Sequence, residues 1–308
     1  MGITITIREM LKPLHQVFIC EMGADKVGEI NYLTKFVKPQ FGIVTSIGPQ
    51  HLNTFKTLGN IIIEKMKMVE NLPLSGVGVL NRDNEHIRNY HIKNKCQIIW
   101  YGIEQADVDY RATNIRYTPK GTFFDVVTRE QVVIPFETKL LGEHNILNIL
   151  ASVALGKQLG IDWESLRRAV ASTRHVEHRL EVKKVNGYTM IDNAFNSNPV
   201  SAKNSLDVLQ MMPGKRIIIT PGMIELGEKQ DDFNFTFGTQ MKDKVDVVLL
   251  IGKNQTTPIA KGLMESGFDM KNVHVMSTVK EAFHWVYTHA TKEDTVLIEN
   301  DLPDAFSR

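Results

Sequence analysis

The chain has 308 residues, enough for two domains at roughly 150 residues each. Apolar residues make up 43% and charged residues 23%, an ordinary globular mixture able to bury a core in each domain. Lys plus Arg total 36 against 35 Asp plus Glu, and the resulting net charge of +1 excludes the surplus of basic charge that nucleic acid or an anionic membrane surface would require.

The opening residues, MGITITIREMLKPLHQ, lack the basic stretch and apolar core of a signal peptide. No apolar run approaches the roughly 18 residues of a membrane-spanning helix. Four short apolar runs then read as buried strands: VFIC (Val17–Cys20), FGIVTSI (Phe41–Ile47), GVGVL (Gly76–Leu80) and QIIWYG (Gln97–Gly102). Helical patterns lie between them in GEINYLTKFV, NIIIEKMKMVENL and NEHIRNYHIK, which is the βαβ rhythm of a parallel sheet. From Asp107 to Leu141 the chain turns β-branched and aromatic with partial alternation, predicting an antiparallel meander. A long apolar helix begins near Gly142, and DWESLRRAVAS forms another with Asp162 as its N-cap. The polar stretch Thr173–His178 is the expected linker, dividing the chain into domains at 1–175 and 176–308. A second βαβ series follows in LEVKKVNGYTMID, a helix after Asn198-Pro199, KRIIIT, VDVVLLIG, a helix over Ile259–Ser266, VHVM, TVKEAFHWVYTHA and DTVLIEN. With only Cys20 and Cys96, no disulfide scaffold is possible, and a reducing, cytoplasmic setting is expected.

Ligands of open parallel sheets bind beyond the carboxyl ends of strands, which singles out several residues. Glu21 follows VFIC, and His51 follows FGIVTSI. Together they offer a carboxylate and an imidazole to a divalent metal bridging phosphate oxygens; taken singly, they are better read as a helix-capping Glu and a hydrogen-bonded loop His. Lys65 lies in a helical pattern, where a solvated lysine is the plain alternative. Asn145 and Asn148 share a helix face and match the donor–acceptor edge of adenine, or else cap the helix and face solvent. Arg179 beyond the linker suits a phosphate or a linker ion pair, and Asp192 at a strand end suits a ribose. Asn198 before Pro199 is a strong helix N-cap without any further role. Neither G-x-x-x-x-G-K-[ST] nor G-x-G-x-x-G occurs in these 308 residues.

Taken in order, EMGADKVGEI, SIGPQHLNTFKTLGNIIIEKMKMVENLP, NRDN, GEHNILNILASVAL, HRLEV, IDNAFNSNPVSAKNSLDVL, TPGMIELGE and ENDLPDAF resemble the Mur ligase family, in particular its D-alanyl-D-alanine-adding branch. The resemblance implies a central ATPase domain, mostly parallel with a small antiparallel meander, followed by a Rossmann-like C-terminal domain. It implies ATP-driven addition of D-Ala-D-Ala to a UDP-MurNAc-tripeptide through an acyl phosphate, in peptidoglycan precursor synthesis. By the same resemblance Glu21 and His51 would be metal ligands, with His51 and Lys65 at the catalytic centre. Lys65 matches the lysine that CO₂ carbamylates to hold the second of two Mg²⁺ ions. Asn145 and Asn148 would lie near adenine, Arg179 and Asp192 would hold phosphate and ribose, and Asn196 and Asn198 would line the path of the incoming dipeptide. The family's uridine-nucleotide domain and its GKT phosphate loop, expected ahead of EMGADKVGEI, have no counterpart here. The implied alternatives are a portion of a longer ligase, a chain working with a separate P-loop half, or a non-catalytic binding or regulatory relative. An open edge of the first sheet would follow, with Ile5, Ile7 and Leu11 short of packing partners. Asn193, Phe195, Gly222 and Lys67 depart from the family's usual residues.

Overall fold

The computed structural model describes residues 2–118, 121–195 and 197–300. A short helix, α1 (Gly2–Ile5), runs on as a π-helical turn over Thr6–Met10. After it come α2 (Glu29–Val37), β1 (Phe41–Val44), α3 (Leu52–Phe55), α4 (Leu58–Glu70), β2 (Val77–Asn81), α5 (Glu85–Arg88) and β3 (Gln97–Gly102). The meander is β4 (Tyr110–Thr118), β5 (Gly121–Thr128) and β6 (Val133–Thr138), covered by α6 (Glu143–Gln158) and α7 (Trp163–Ser172). In this first sheet the strands lie in chain order, β1 to β6. β1 through β4 run parallel, and β4, β5 and β6 pair antiparallel.

All five residues of β2 are buried, because helices cover both faces of the sheet there. On one face α6 presents Ile146, Ile149, Leu150 and Val153 at helical spacing to Val79, Ile99 and Tyr101. On the other, α4 packs Ile61, Met66 and Val69 with Val44, Leu80 and Ile87.

The second sheet is built from β7 (Glu181–Val185), β8 (Tyr188–Asn193), β9 (Arg216–Thr220), β10 (Val247–Ile251), β11 (Val273–Met276) and β12 (Thr295–Glu299). Its order is β11-β10-β9-β12-β8-β7, parallel throughout except for β7. The β7–β8 hairpin turns on Asn186-Gly187, both at positive φ (49° and 97°), as a two-residue type I′ loop requires. Helices α8 (Pro199–Gln210), α9 (Gln230–Gln240), α10 (Lys253–Glu265) and α11 (Val279–His289) complete this half. No helix of the described residues is long and apolar enough to cross a membrane.

Two elements differ from their sequence reading. VFIC is not a strand: residues 17–20 have no regular secondary structure and no ladder partner, with Val17 55% and Ile19 87% exposed. A four-residue apolar run forms a strand only where a neighbour supplies the hydrogen bonds, and β1, at the sheet edge, pairs with β2 alone among the described residues. NEHIRNYHIK yields only the single turn of α5, in which Ile87 is the one buried residue. Beyond it the backbone is held by Glu70, whose carboxylate accepts from Lys93 N and Asn94 N. Ile5 is exposed, and Ile7 and Leu11 are half-buried.

Candidate active site

The residues after β1, the face of α4 and the start of the second half enclose a cleft of about 790 Å³. Glu21, His51, Lys65, Arg179 and Asn198 all line it, so one cavity gathers expected residues from both halves of the chain. A second cleft of about 600 Å³ shares Thr45, Ser46, Arg179, Phe195 and Asn198 with the first and extends to Asn84, Asn145 and Asn148.

Local structure explains each placement. Thr57 caps α4 by accepting from Asn60 N at 3.1 Å. The helix then directs Glu64 inward, where its buried carboxylate accepts from Ile30 N (2.7 Å) and Asn31 N (3.3 Å). Gly28, the N-cap of α2, has no side chain to offer, and Glu64 supplies that function across space. The same contact fixes α4, and hence Lys65, against the stretch that leads back to Glu21. Burial pushes the Lys65 ammonium below its ordinary range, toward the neutral amine.

His51 is the N-cap of α3 and adopts a left-handed backbone (φ 50°). Its Nδ1 lies 3.2 Å from Oε2 of Glu225, which reaches over from the loop after β9. Glu225 also has positive φ (62°). Two strained residues, one from each half, therefore meet at the edge of the cleft. A carboxylate on Nδ1 favours the tautomer that leaves Nε2 as the ligating nitrogen.

Arg179 stacks its guanidinium 4.8 Å over the Phe195 ring, and both line the two clefts. Asn198 accepts from Val200 N and Ser201 N, so it is a cap for α8 as well as a wall residue. Asn145 donates to Leu141 O at 2.8 Å, which is its structural role, and Asn148 is exposed one turn on. Both also border an apolar hollow of about 260 Å³ between α6 and α7.

Asp192 stands apart from the two clefts. Its carboxylate is buried against His178 Nδ1 (2.9 Å) and Lys183 Nζ (3.3 Å), and it accepts from Ala194 N. The expected dipeptide residue Asn196 lies outside the described residues, as does the DLPDAF part of the last motif.

Among the described residues no group of three His, Cys, Asp or Glu side chains forms a metal cluster. What the cleft offers is the Glu21 carboxylate, the His51 imidazole and the Lys65 amine. Magnesium takes one or two protein carboxylates and completes its shell with water and substrate phosphates. The set fits that ion once Lys65 carries a carboxylate of its own.

Glu225 and Phe195 belong to the site region and carry no role in the sequence reading. For Glu225 a signal existed, since a carboxylate just past the end of a parallel strand is a ligand-side position. Nothing in the local sequence indicates that it reaches His51.

Comparison with known proteins accords with this fold. The Mur ligase middle domain model matches residues 1–156, and the model of the Mur ligase, glutamate ligase domain matches residues 178–299. UDP-N-acetylmuramoyl-tripeptide–D-alanyl-D-alanine ligase of Escherichia coli (strain K12) is 29% identical over 258 residues, covering 82% of this chain and 56% of the relative. The enzyme of the same name from Bacillus subtilis (strain 168) is 26% identical over 302 residues, covering 97% and 64%. A crystal structure of MurF from Acinetobacter baumannii superposes with a TM-score of 0.82 at 22% identity, over 94% of this chain and 62% of that one. MurF ligase from Thermotoga maritima in complex with ADP gives 0.80 at 22% identity, over 91% and 63%. The chain thus spans 56% and 64% of the length of the two curated relatives, and the structural likeness is one of fold.

Proposed function

This chain belongs to the Mur ligase family, and we propose that its inter-half cleft works in ATP-dependent amide-bond formation, adding D-alanyl-D-alanine to a UDP-MurNAc-tripeptide. The observation that carries this reading is the convergence of Glu21, His51 and Lys65 from one half with Arg179 and Asn198 from the other in a single cavity. We place the boundary of the two units at 175/176 and the reaction in the cytoplasm.

The reaction transfers the γ-phosphoryl group of ATP to the tripeptide's terminal carboxylate. The dipeptide amine then attacks that carbonyl carbon, and phosphate leaves with the bonding pair. The chain's task is mainly charge neutralisation and alignment. Arg179, braced on Phe195, would take phosphate oxygens as a planar fork of donors. Asn145 and Asn148 would face the nucleobase. Asn198, with Asn196, would border the path of the dipeptide. Glu21, His51 and a carbamylated Lys65 would hold Mg²⁺, whose chemistry is to neutralise the transferring phosphoryl oxygens. Carbamylation joins CO₂ to the neutral Lys65 amine with loss of one proton, and the burial of Lys65 favours that amine. A GKT cradle would come from a polypeptide segment other than these residues.

A second reading, a non-catalytic or partner-dependent module, draws on two occupied groups. His51 already engages Glu225, and Asp192 is already paired with His178 and Lys183. Incubating the chain, joined to a segment that supplies the GKT cradle, with ATP, Mg²⁺, UDP-MurNAc-tripeptide and D-Ala-D-Ala discriminates between them, and turnover by these 308 residues alone would exclude the second reading. ADP release that requires both acceptor and dipeptide is expected. Release with glutamate in place of the dipeptide would move the chain to a different branch of substrates. Binding of the dipeptide without any turnover would favour the second reading.

A further inference from the structure

The C-terminal wall of the cleft hangs from a buried polar knot that the proposed chemistry does not use. Glu299, the last residue of β12, is fully buried. Its carboxyl group receives Asn193 Nδ2–H at 2.8 Å and a short hydrogen bond from Ser197 Oγ, and it meets the Ser205 hydroxyl. Asn193 Oδ1 in turn accepts from Leu180 N at 3.2 Å. The adjacent Asn300 accepts from Ser197 N (3.3 Å) and donates from its side chain to Gly222 O (2.7 Å). Two segments that line the clefts from this half converge here, the Arg179-Leu180 turn and the stretch bearing Phe195 and Asn198, together with the loop whose Glu225 meets the cleft residue His51.

We infer that Glu299 is the positioning residue of this wall, tying the stretch that carries Phe195 and Asn198, and through Asn193 the Arg179-Leu180 turn, to the end of β12. The surroundings favour a neutral carboxyl in this role. No cation among the described residues pairs with Glu299, and burial favours the protonated form. A neutral carboxyl both donates and accepts, and it can therefore link Asn193, Ser197 and Ser205 at once without an uncompensated buried charge.

The consequence for ligands rests on the ligase reading above, whereas the anchoring of the wall does not, so two readouts separate them. The first is amide hydrogen exchange in the 308-residue chain, comparing wild type with Glu299→Gln, Glu299→Ala and Ser197→Ala. Losing the buried hydrogen bonds from Asn193 and Ser197 should speed exchange at Leu180 and Ser197 by about tenfold or more in Glu299→Ala, while β9 and β10 stay at the wild-type rate. Ser197→Ala should do the same at Ser197. Glu299→Gln, which keeps a donor and an acceptor, should stay near wild type. Wild-type rates at Leu180 and Ser197 in Glu299→Ala would overturn the inference, as would a Gln variant as fast as the Ala variant. If the Ala variant does not fold, Ser197→Ala and Glu299→Gln still decide by the same rates. The second readout is calorimetric binding of Mg–ADP and of D-Ala-D-Ala. About tenfold weaker binding in Glu299→Ala, restored in Glu299→Gln, is expected. Wild type that binds neither ligand would sink the ligase reading and leave the exchange rates to judge Glu299.

Discussion

His144 is the side chain at which burial and chemistry conflict most plainly. It sits on the first turn of α6, beside the second cleft, and its Nδ1 is buried with no hydrogen-bond partner among the described residues. Burial pushes its pKa from 6.5 to about 4. Protonation is therefore easier in the unfolded chain than in the folded one. Between pH 6.5 and 4 the unfolded state binds more protons, so stability falls as the pH is lowered through that window and is constant above it. The full effect is on the order of 3 kcal/mol. Urea unfolding at a series of pH values should record it, and His144→Leu should flatten that slope. Lys65 offers the complementary test. Because its amine is pushed toward neutrality, ¹³C-labelled bicarbonate should give one slowly exchanging carbamate resonance, absent in Lys65→Ala. A spectrum unchanged by that substitution would remove Lys65 from the proposed metal set.

Among the helices, α9 and α10 approach each other closely, and glycines make it possible. A Cβ built on Gly238 would lie 2.2 Å from Ile259 O, and one on Gly262 would lie 2.1 Å from Phe235 O. Backbone meets backbone at both points, so no flexible side chain is available to yield. Gly238→Ala should cost about 1–3 kcal/mol or more through forced separation of the helices, read as a lowered midpoint of denaturation with the far-UV spectrum retained. Strands were largely legible from sequence because buried parallel strands are continuous apolar runs; RIIIT and VVLLI are examples. VFIC has the same texture and failed as a strand. Its apolarity is local information, whereas a strand also needs a neighbour's hydrogen bonds, which are not.

For the molecule as a whole, the decisive feature is how the two halves touch. Leu141, at the end of the first half's meander, is buried in the core of the second half with Leu206, Val208 and Leu209. Tyr117 packs against the cores of both halves, and burial together with nearby Glu143 and Asp207 pushes its hydroxyl above its ordinary range. A further contact is polar, His51 with Glu225, and half-exposed, so it contributes at most about 1 kcal/mol. Leu141 is the most deeply buried of these couplings. Leu141→Ala should destabilise by about 2–5 kcal/mol and split thermal unfolding into two transitions. A single unshifted transition would show that the halves are coupled elsewhere. Residues 176–308 expressed alone should melt cooperatively, since all six strands of the second sheet lie within them.

The sequence by itself determined the alternation of strands and helices, the change to a meander after Asp107, the caps at Asp162 and Asn198, and the residue types able to meet phosphate, metal and nucleobase. Each of these is written in the spacing or chemistry of a few neighbouring residues, which is why it can be read without coordinates. The tertiary structure decided which of those residues share a cavity. It joined Glu21, His51 and Lys65 to Arg179, it gave His51 to Glu225 at a separation of 174 residues, and it turned Asp192 toward His178 and Lys183. It also buried Glu299 beneath the cleft wall, 106 residues from Asn193 in sequence. Such pairings depend on strand order and on the seating of one half against the other, properties of the whole chain that no local window contains.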